Sequence, residues 1–208
     1  MKVNKEILVF NPFKVGSSTL EEMINRTPNL RATKFHSYDQ SQQKKIPPEK
    51  VSATILVYRD PIELYMSAFF EDCNKPSYPY YYGTNEDVLA ASTDQLINHF
   101  NKFPWETYQW LNYEYYINQL NTLFNINKQE ITNFMKSCEK YKVIKGDYLS
   151  KPIVCLLLKT KYLNQSVEII NQTLGTNIIK MEKHRAAENR WYNQKYIEFQ
   201  EKMKQCIQ

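Results

Sequence analysis

The sequence predicts an α/β fold, a three-layer arrangement in which a parallel sheet is flanked by helices. Three observations predict it. Short apolar runs rich in β-branched residues, at 7–10 and 53–58 above all, have the length and composition of buried strands. Segments with helical spacing follow them, and alternating strands and helices favour parallel strands joined by helical crossovers. No repeat and no linker-like stretch interrupts the 208 residues, which suit a single domain, 1–208, with a substantial core.

Each element can be justified in order. Residues 7–10, Ile-Leu-Val-Phe, make the first strand, and a helix follows in which Leu20, Met23 and Ile24 share a face. Residues 29–36 read as a weaker second strand that ends Phe35-His36-Ser37. The polar stretch 40–50, with Lys44-Lys45 and Pro47-Pro48, is a surface connection. Residues 53–58 are the clearest strand. Arg59-Asp60-Pro61 ends it, Pro61 suits the first turn of a helix, and that helix runs through Leu64, Tyr65, Ala68 and Phe69. Residues 74–85 are expected to form a loop, because prolines interrupt the run Tyr78-Pro79-Tyr80-Tyr81-Tyr82. Its tyrosines either cover the core as a flap or make an amphipathic wall for an acceptor. Residues 86–103 read as one helix closed by Pro104, and 105–120 as amphipathic helix whose aromatics belong to the core. His99 has no evident partner. Residues 141–149 are a strand entering a turn, 153–158 an apolar run, and 165–174 a helix that Gly175 ends. A terminal helix begins near Asn193.

Composition narrows the classes. With 42% hydrophobic and 24% charged residues the chain is a folded protein. A net charge of +5 suits an anionic ligand but is too small and too dispersed for nucleic acid. Cys73, Cys138, Cys155 and Cys206 are widely spaced, with no zinc-like Cys/His cluster, so free thiols in a reducing compartment and no metal are expected. The N-terminus lacks the pattern of a signal peptide and no apolar run is long enough to span a bilayer. A cytoplasmic protein without a membrane span is therefore expected; composition leaves the oligomeric state open.

The chemistry centres on Lys14-Val15-Gly16-Ser17-Ser18-Thr19, between the first strand and the first helix. A strand, a small-residue loop and a helix aim unpaired backbone N–H groups at an anion. Gly16 allows close approach, Ser17, Ser18 and Thr19 add hydroxyls, and Lys14 adds a mobile charge. An ordinary strand-to-helix turn is the plainer alternative. The loop is not a Walker A loop, which needs Lys directly after the second Gly. No Gly-x-Gly-x-x-Gly occurs either, which disfavours a dinucleotide-binding Rossmann site.

Lys-x-Gly-Ser/Thr-Ser/Thr after a strand resembles the 5′-phosphosulfate loop of the sulfotransferases, which use 3′-phosphoadenosine 5′-phosphosulfate (PAPS) as donor. A second segment agrees: Arg59-Asp60-Pro61, then Ser67 eight residues after the arginine. In that family the corresponding Arg and Ser bind the 3′-phosphate. A guanidinium fork matches a phosphate bidentately, and a hydroxyl two helical turns on lies on the same side. One departure is the stretch Glu63-Leu64-Tyr65, where the family often carries another Arg. Residues 143–149, with Asp147, and 167–175 are similar to later parts of the same fold. Glu188-Asn189-Arg190-Trp191-Tyr192-Asn193 resembles the Asn-Lys-Trp-Tyr-Ser signature of the capsular polysaccharide synthesis proteins, which also carry Lys-Val-Gly-Ser-Ser-Thr near the N-terminus.

The resemblance implies a sulfotransferase-like fold, of the kind P-loop NTPases share, and PAPS as co-substrate without a metal. It places Lys14 at the bridging oxygen, Val15, Gly16, Ser17, Ser18 and Thr19 around the 5′-phosphate, and Arg59 with Ser67 at the 3′-phosphate. His184 and Arg185 fall where related enzymes close a loop over the nucleotide. Sulfotransferases use a His or Glu as base. His36 at the second strand's end is the first candidate, a turn histidine without a role is its alternative, and His184, Asp39 and Glu71 come next. The expected partner is a small-molecule or carbohydrate acceptor, in capsular or surface polysaccharide synthesis. Two other readings stay open: a nucleotide- or glycan-binding module of the same fold without transfer activity, and a small-molecule kinase.

Overall fold

Apolar runs buried on both sides produce a sheet in the computed structural model, which describes residues 5–10, 17–35, 46–105, 112–179 and 190–207. The strands are β1 (Lys5–Phe10), β2 (Leu30–Phe35), β3 (Val51–Tyr58), β4 (Tyr141–Tyr148) and β5 (Lys151–Lys159), in the spatial order β2-β1-β3-β5-β4. The helices are α1 (Ser17–Asn25), α2 (Pro61–Asp72), α3 (Asn85–Ala90), α4 (Thr93–Asn101), α5 (Tyr113–Phe124), α6 (Lys128–Lys136), α7 (Val167–Leu174) and α8 (Asn193–Ile207). The chain divides into two compact units, Met1–Arg59 with Asn112–Lys183, and Asp60–Leu111 with His184–Gln208.

The first unit holds the whole sheet. β1 pairs in parallel with β2 and β3, and β3 with β5. Ile7, Leu8, Val9 and Phe10 are all fully buried, as are Ile55 and Val57, the continuous apolar pattern of a sheet covered on both faces. Leu8, Phe10, Leu56, Cys155 and Leu157 face one core with Tyr116, Leu120 and Phe124 of α5 and Ile131 and Phe134 of α6. Their alternate neighbours point the other way, and α1 packs on β1 and β2. The architecture is α/β, a five-stranded and mostly parallel sheet flanked by helices, compatible with three layers.

The all-parallel expectation is corrected at β4, which runs antiparallel to β5. Leu149 and Ser150 join them, both with positive φ (48° and 67°), the twist a two-residue hairpin requires. Neither residue is a glycine or asparagine, so the usual hairpin signal is missing. Lys151 then anchors the start of β5, its Nζ donating to the carbonyls of Pro48, Glu49 and Val51 at 3.0, 3.2 and 2.9 Å.

The second unit has an aromatic core of Phe69, Phe70, Tyr80, Phe100, Trp105 and Phe199, with several edge-on ring pairs such as Phe69–Phe70 at 5.2 Å. The helix expected at 86–103 is two helices. Thr84 and Ser92 each form a capping box, with Asp87 and Gln95, and the second box starts α4 afresh. The helix expected at 105–120 is described from Tyr113, where Asn112 caps α5. Tyr80 is fully buried, and its hydroxyl donates to Asp72 (3.3 Å), so it belongs to the flap alternative. His99 has a partner, its Nε2 lying 3.3 Å from the Tyr80 carbonyl. No described helix is long and apolar enough to cross a membrane.

Candidate functional site

Parallel pairing brings the carboxyl ends of β2, β1 and β3 to one edge of the sheet. Phe10 is level with Phe35 on one side and Leu56 on the other, and β3 runs two residues further to Tyr58. The chain leaves β1 toward β2 on one side while β3 lies on the other, so β1 and β3 flank a switch in strand order, where open α/β sheets bind ligands. Three sequence-predicted segments follow these ends: Lys14 to Thr19 after β1, His36 after β2, and Arg59 after β3. Lys14, Val15, Gly16, His36, Asp39, His184 and Arg185 lie outside the described residues.

The described part of the loop motif is the first turn of α1. Ser17 opens the helix, Ser18 is exposed and Thr19 half-buried. Among the described residues no acidic side chain belongs to this turn, which leaves the positive end of the helix dipole available to an anion. Lys34, on β2, reaches it: its Nζ donates to Ser18 Oγ at 3.2 Å and pairs with Glu21 at 3.2 Å. Lys34 is a cation that sequence reasoning missed. Its signal was its place two residues before His36.

Arg59 is half-buried at the exit of β3, and side-chain hydroxyls hold the backbone there. Tyr116 donates to Val57 O at 3.4 Å and to Phe10 O at 3.3 Å, Thr160 donates to Tyr58 O at 3.0 Å, and Tyr113 donates to Arg59 O. Burial, with Tyr113 nearby, pushes the Tyr116 phenol well above its ordinary pKa, so it stays a neutral donor. Lys159, level with Tyr58, is a buried cation committed elsewhere: it donates to Ser137 O and stands over the Phe134 ring at 5.3 Å.

In the second unit, Ser67 is half-buried on α2, one turn before Glu71. Asp60 caps α2 by accepting from the N–H groups of Ile62 (3.0 Å) and Glu63 (3.3 Å). Glu71 Oε2 accepts from Tyr192 Oη at 2.9 Å and pairs with the Arg190 guanidinium, which also donates to Tyr192 Oη at 2.5 Å. Two open clefts, of about 480 and 560 Å³, lie at the opposite, amino edge of the sheet, one beside Ser52 and Pro152, the other beside Lys5 and Leu30. Strand topology points to the carboxyl edge.

Comparison of the chain with family models, with curated proteins and with solved structures found no match.

Proposed function

We propose that this chain is a PAPS-dependent sulfotransferase with a sulfotransferase-like fold. It would move a sulfuryl group to a hydroxyl or amine of a carbohydrate or other small acceptor, in capsular or surface polysaccharide synthesis. One observation carries the reading: the segments holding Lys14 to Thr19, His36 and Arg59 leave three adjacent parallel strands at the same edge, around the switch in strand order. The donor set also fits the nucleotide. Hydroxyls of Ser18 and Thr19 occupy the first turn of a helix, and a guanidinium follows the neighbouring strand end.

Bound PAPS supplies an activated sulfuryl group whose bridging oxygen gains charge as the acceptor oxygen attacks in line. In this reading Lys14 meets that charge, and Gly16, Ser17, Ser18 and Thr19 hold the 5′-phosphate. Arg59 and Ser67 take the 3′-phosphate, His184 and Arg185 add contacts to the nucleotide, and His36 accepts the acceptor proton. Lys34, held by Glu21, orients the Ser18 hydroxyl beside the same turn.

A thermal-shift comparison of adenosine 3′,5′-bisphosphate with ATP, NAD and nucleotide sugars tests the proposal. At about 100 times the dissociation constant the bisphosphate adds roughly 2.7 kcal/mol, which raises the Tm of a chain of this size by about 5–11 °C. No shift at millimolar bisphosphate refutes the reading, a shift with ATP alone returns the kinase alternative, and binding of the bisphosphate without turnover of PAPS favours the inactive module.

A further inference from the structure

We propose that Tyr113 and Tyr116 of α5 are positioning residues that set the exits of β1 and β3, and through them the phosphate contacts; the inference rests on the function proposed above. The two residues are three apart, so they share a face of α5, and that face delivers two phenols to the sheet edge. Tyr116 Oη lies 3.3 Å from Phe10 O and 3.4 Å from Val57 O, one hydroxyl shared between the last carbonyl of β1 and the next-to-last of β3. Tyr113 Oη donates to Arg59 O, one residue beyond β3. With Thr160 on Tyr58 O, three successive carbonyls at this exit accept from side chains.

Satisfying buried carbonyls accounts for Tyr116 only in part, and for Tyr113 poorly. Tyr113 and Arg59 are both half-buried, so water can satisfy the Arg59 carbonyl. What the phenol adds is direction. The Tyr113 ring is held against Tyr58 (5.0 Å) and edge-on to Tyr116 (6.1 Å), and Tyr116 is stacked on Phe10 (5.3 Å). A ring fixed on two sides, on a side chain with few torsions, transmits the helix position to the peptide after Arg59 and so fixes where the Arg59 side chain departs. Tyr113 thereby belongs to the 3′-phosphate side, and Tyr116 to both strand exits.

Calorimetric binding of adenosine 3′,5′-bisphosphate and adenosine 5′-monophosphate to the full chain tests this. Tyr113→Phe should weaken the bisphosphate roughly five- to tenfold, the worth of one positioned hydrogen bond, and change the monophosphate less than about twofold. Placed on Arg59→Ala, the same change should have no further effect. Tyr116→Phe should weaken both nucleotides by similar factors. An unchanged preference for the 3′-phosphate in Tyr113→Phe, or a loss that adds to that of Arg59→Ala, overturns the inference alone. If the wild-type chain binds neither nucleotide, the proposed function falls and takes the inference with it.

Discussion

Replacing Gly146 by alanine sets two effects of opposite sign against each other. Gly146 lies within β4, opposite Ile153 of β5. On sequence grounds the change stabilises, because alanine narrows the unfolded ensemble by about 0.4–1 kcal/mol and glycine weakens a strand. Packing reverses the sign. A Cβ at 146 would stand 2.6 Å from the Phe124 carbonyl oxygen, 2.8 Å from Cys155 Sγ and 3.1 Å from Ile126 Cγ1. The first of these is backbone at the end of α5, which is fixed by Asn125 in the left-handed region (φ 51°) and by Asn121 Nδ2 donating to Ile126 O at 2.8 Å. It cannot swing aside as a side-chain tip does. Overpacking against such a neighbour costs about 1–3 kcal/mol, so after the opposing gain a net loss of about 1 kcal/mol remains, which lowers Tm by roughly 2–4 °C. Thermal and urea melts followed by circular dichroism measure it. Adding Cys155→Ala removes the sulfur contact and leaves the carbonyl contact, so it should restore only part of the loss. A Gly146→Ala protein that melts at or above the wild-type temperature refutes this account of the α5–β4 contact.

Two further predictions concern titrating groups. Burial pushes the thiols of Cys73 and Cys155 up to about 12, while Cys138 is exposed. At about pH 8 only some 10⁻⁴ of each buried thiol is thiolate, so alkylation followed by peptide mapping should mark Cys138 and reach Cys73 and Cys155 only in denaturant. Rapid labelling of native Cys155 would contradict the packing above. At the N-terminus of α3, the Thr84 N–H (2.8 Å) and hydroxyl (2.9 Å) donate to Asp87 Oδ2 and hold this carboxyl below the usual aspartate range. A depressed folded-state value stabilises above the unfolded aspartate pKa and is lost as pH falls through the folded value. Asp87→Asn should therefore lower the urea midpoint at neutral pH and leave it unchanged in acid; an equal effect at both would remove the ionised cap.

Legibility in the sequence followed the range of the interaction. β1, β3 and the helix ends at Pro61 and Gly175 rest on local chemistry, namely apolar runs, a proline in the first turn and a left-handed glycine (φ 60°), and each is where the sequence places it. The break between α3 and α4 was equally local, since Ser92 and Gln95 spell a capping box, but the apolar spacing across 86–103 masked it. The reversal of β4 was not legible, because Leu149-Ser150 carries no turn signature. The residues around the candidate site divide in the same way. Arg59 announces itself by following a strand, whereas Tyr113 and Tyr116 look like ordinary core aromatics. Their hydroxyls matter only through carbonyls between 54 and 106 positions away in sequence.

The segment that resembles the polysaccharide-synthesis signature has a physical content of its own. Arg190 and Tyr192, just before α8, converge on Glu71 of α2, and the Arg190 guanidinium also stands 5.8 Å from the centre of the Tyr192 ring. Burial raises the Tyr192 phenol pKa, against the lowering effect of Arg190, so it remains a donor to the carboxylate. A charged pair with a shared phenol on a half-buried carboxylate is stronger than an exposed ion pair, because each member fixes the geometry of the other two. Helix α8 is further held to the same unit by Lys195 donating to Ala91 O (2.7 Å) and by Phe199 in the aromatic core. The Arg-Trp-Tyr segment thus locks the entry of α8 onto α2 one turn beyond Ser67, and it engages Glu71 with two donors. A carboxylate so occupied is poorly placed to take a proton from an acceptor. In the proposed reaction Glu71 is therefore a poor general base.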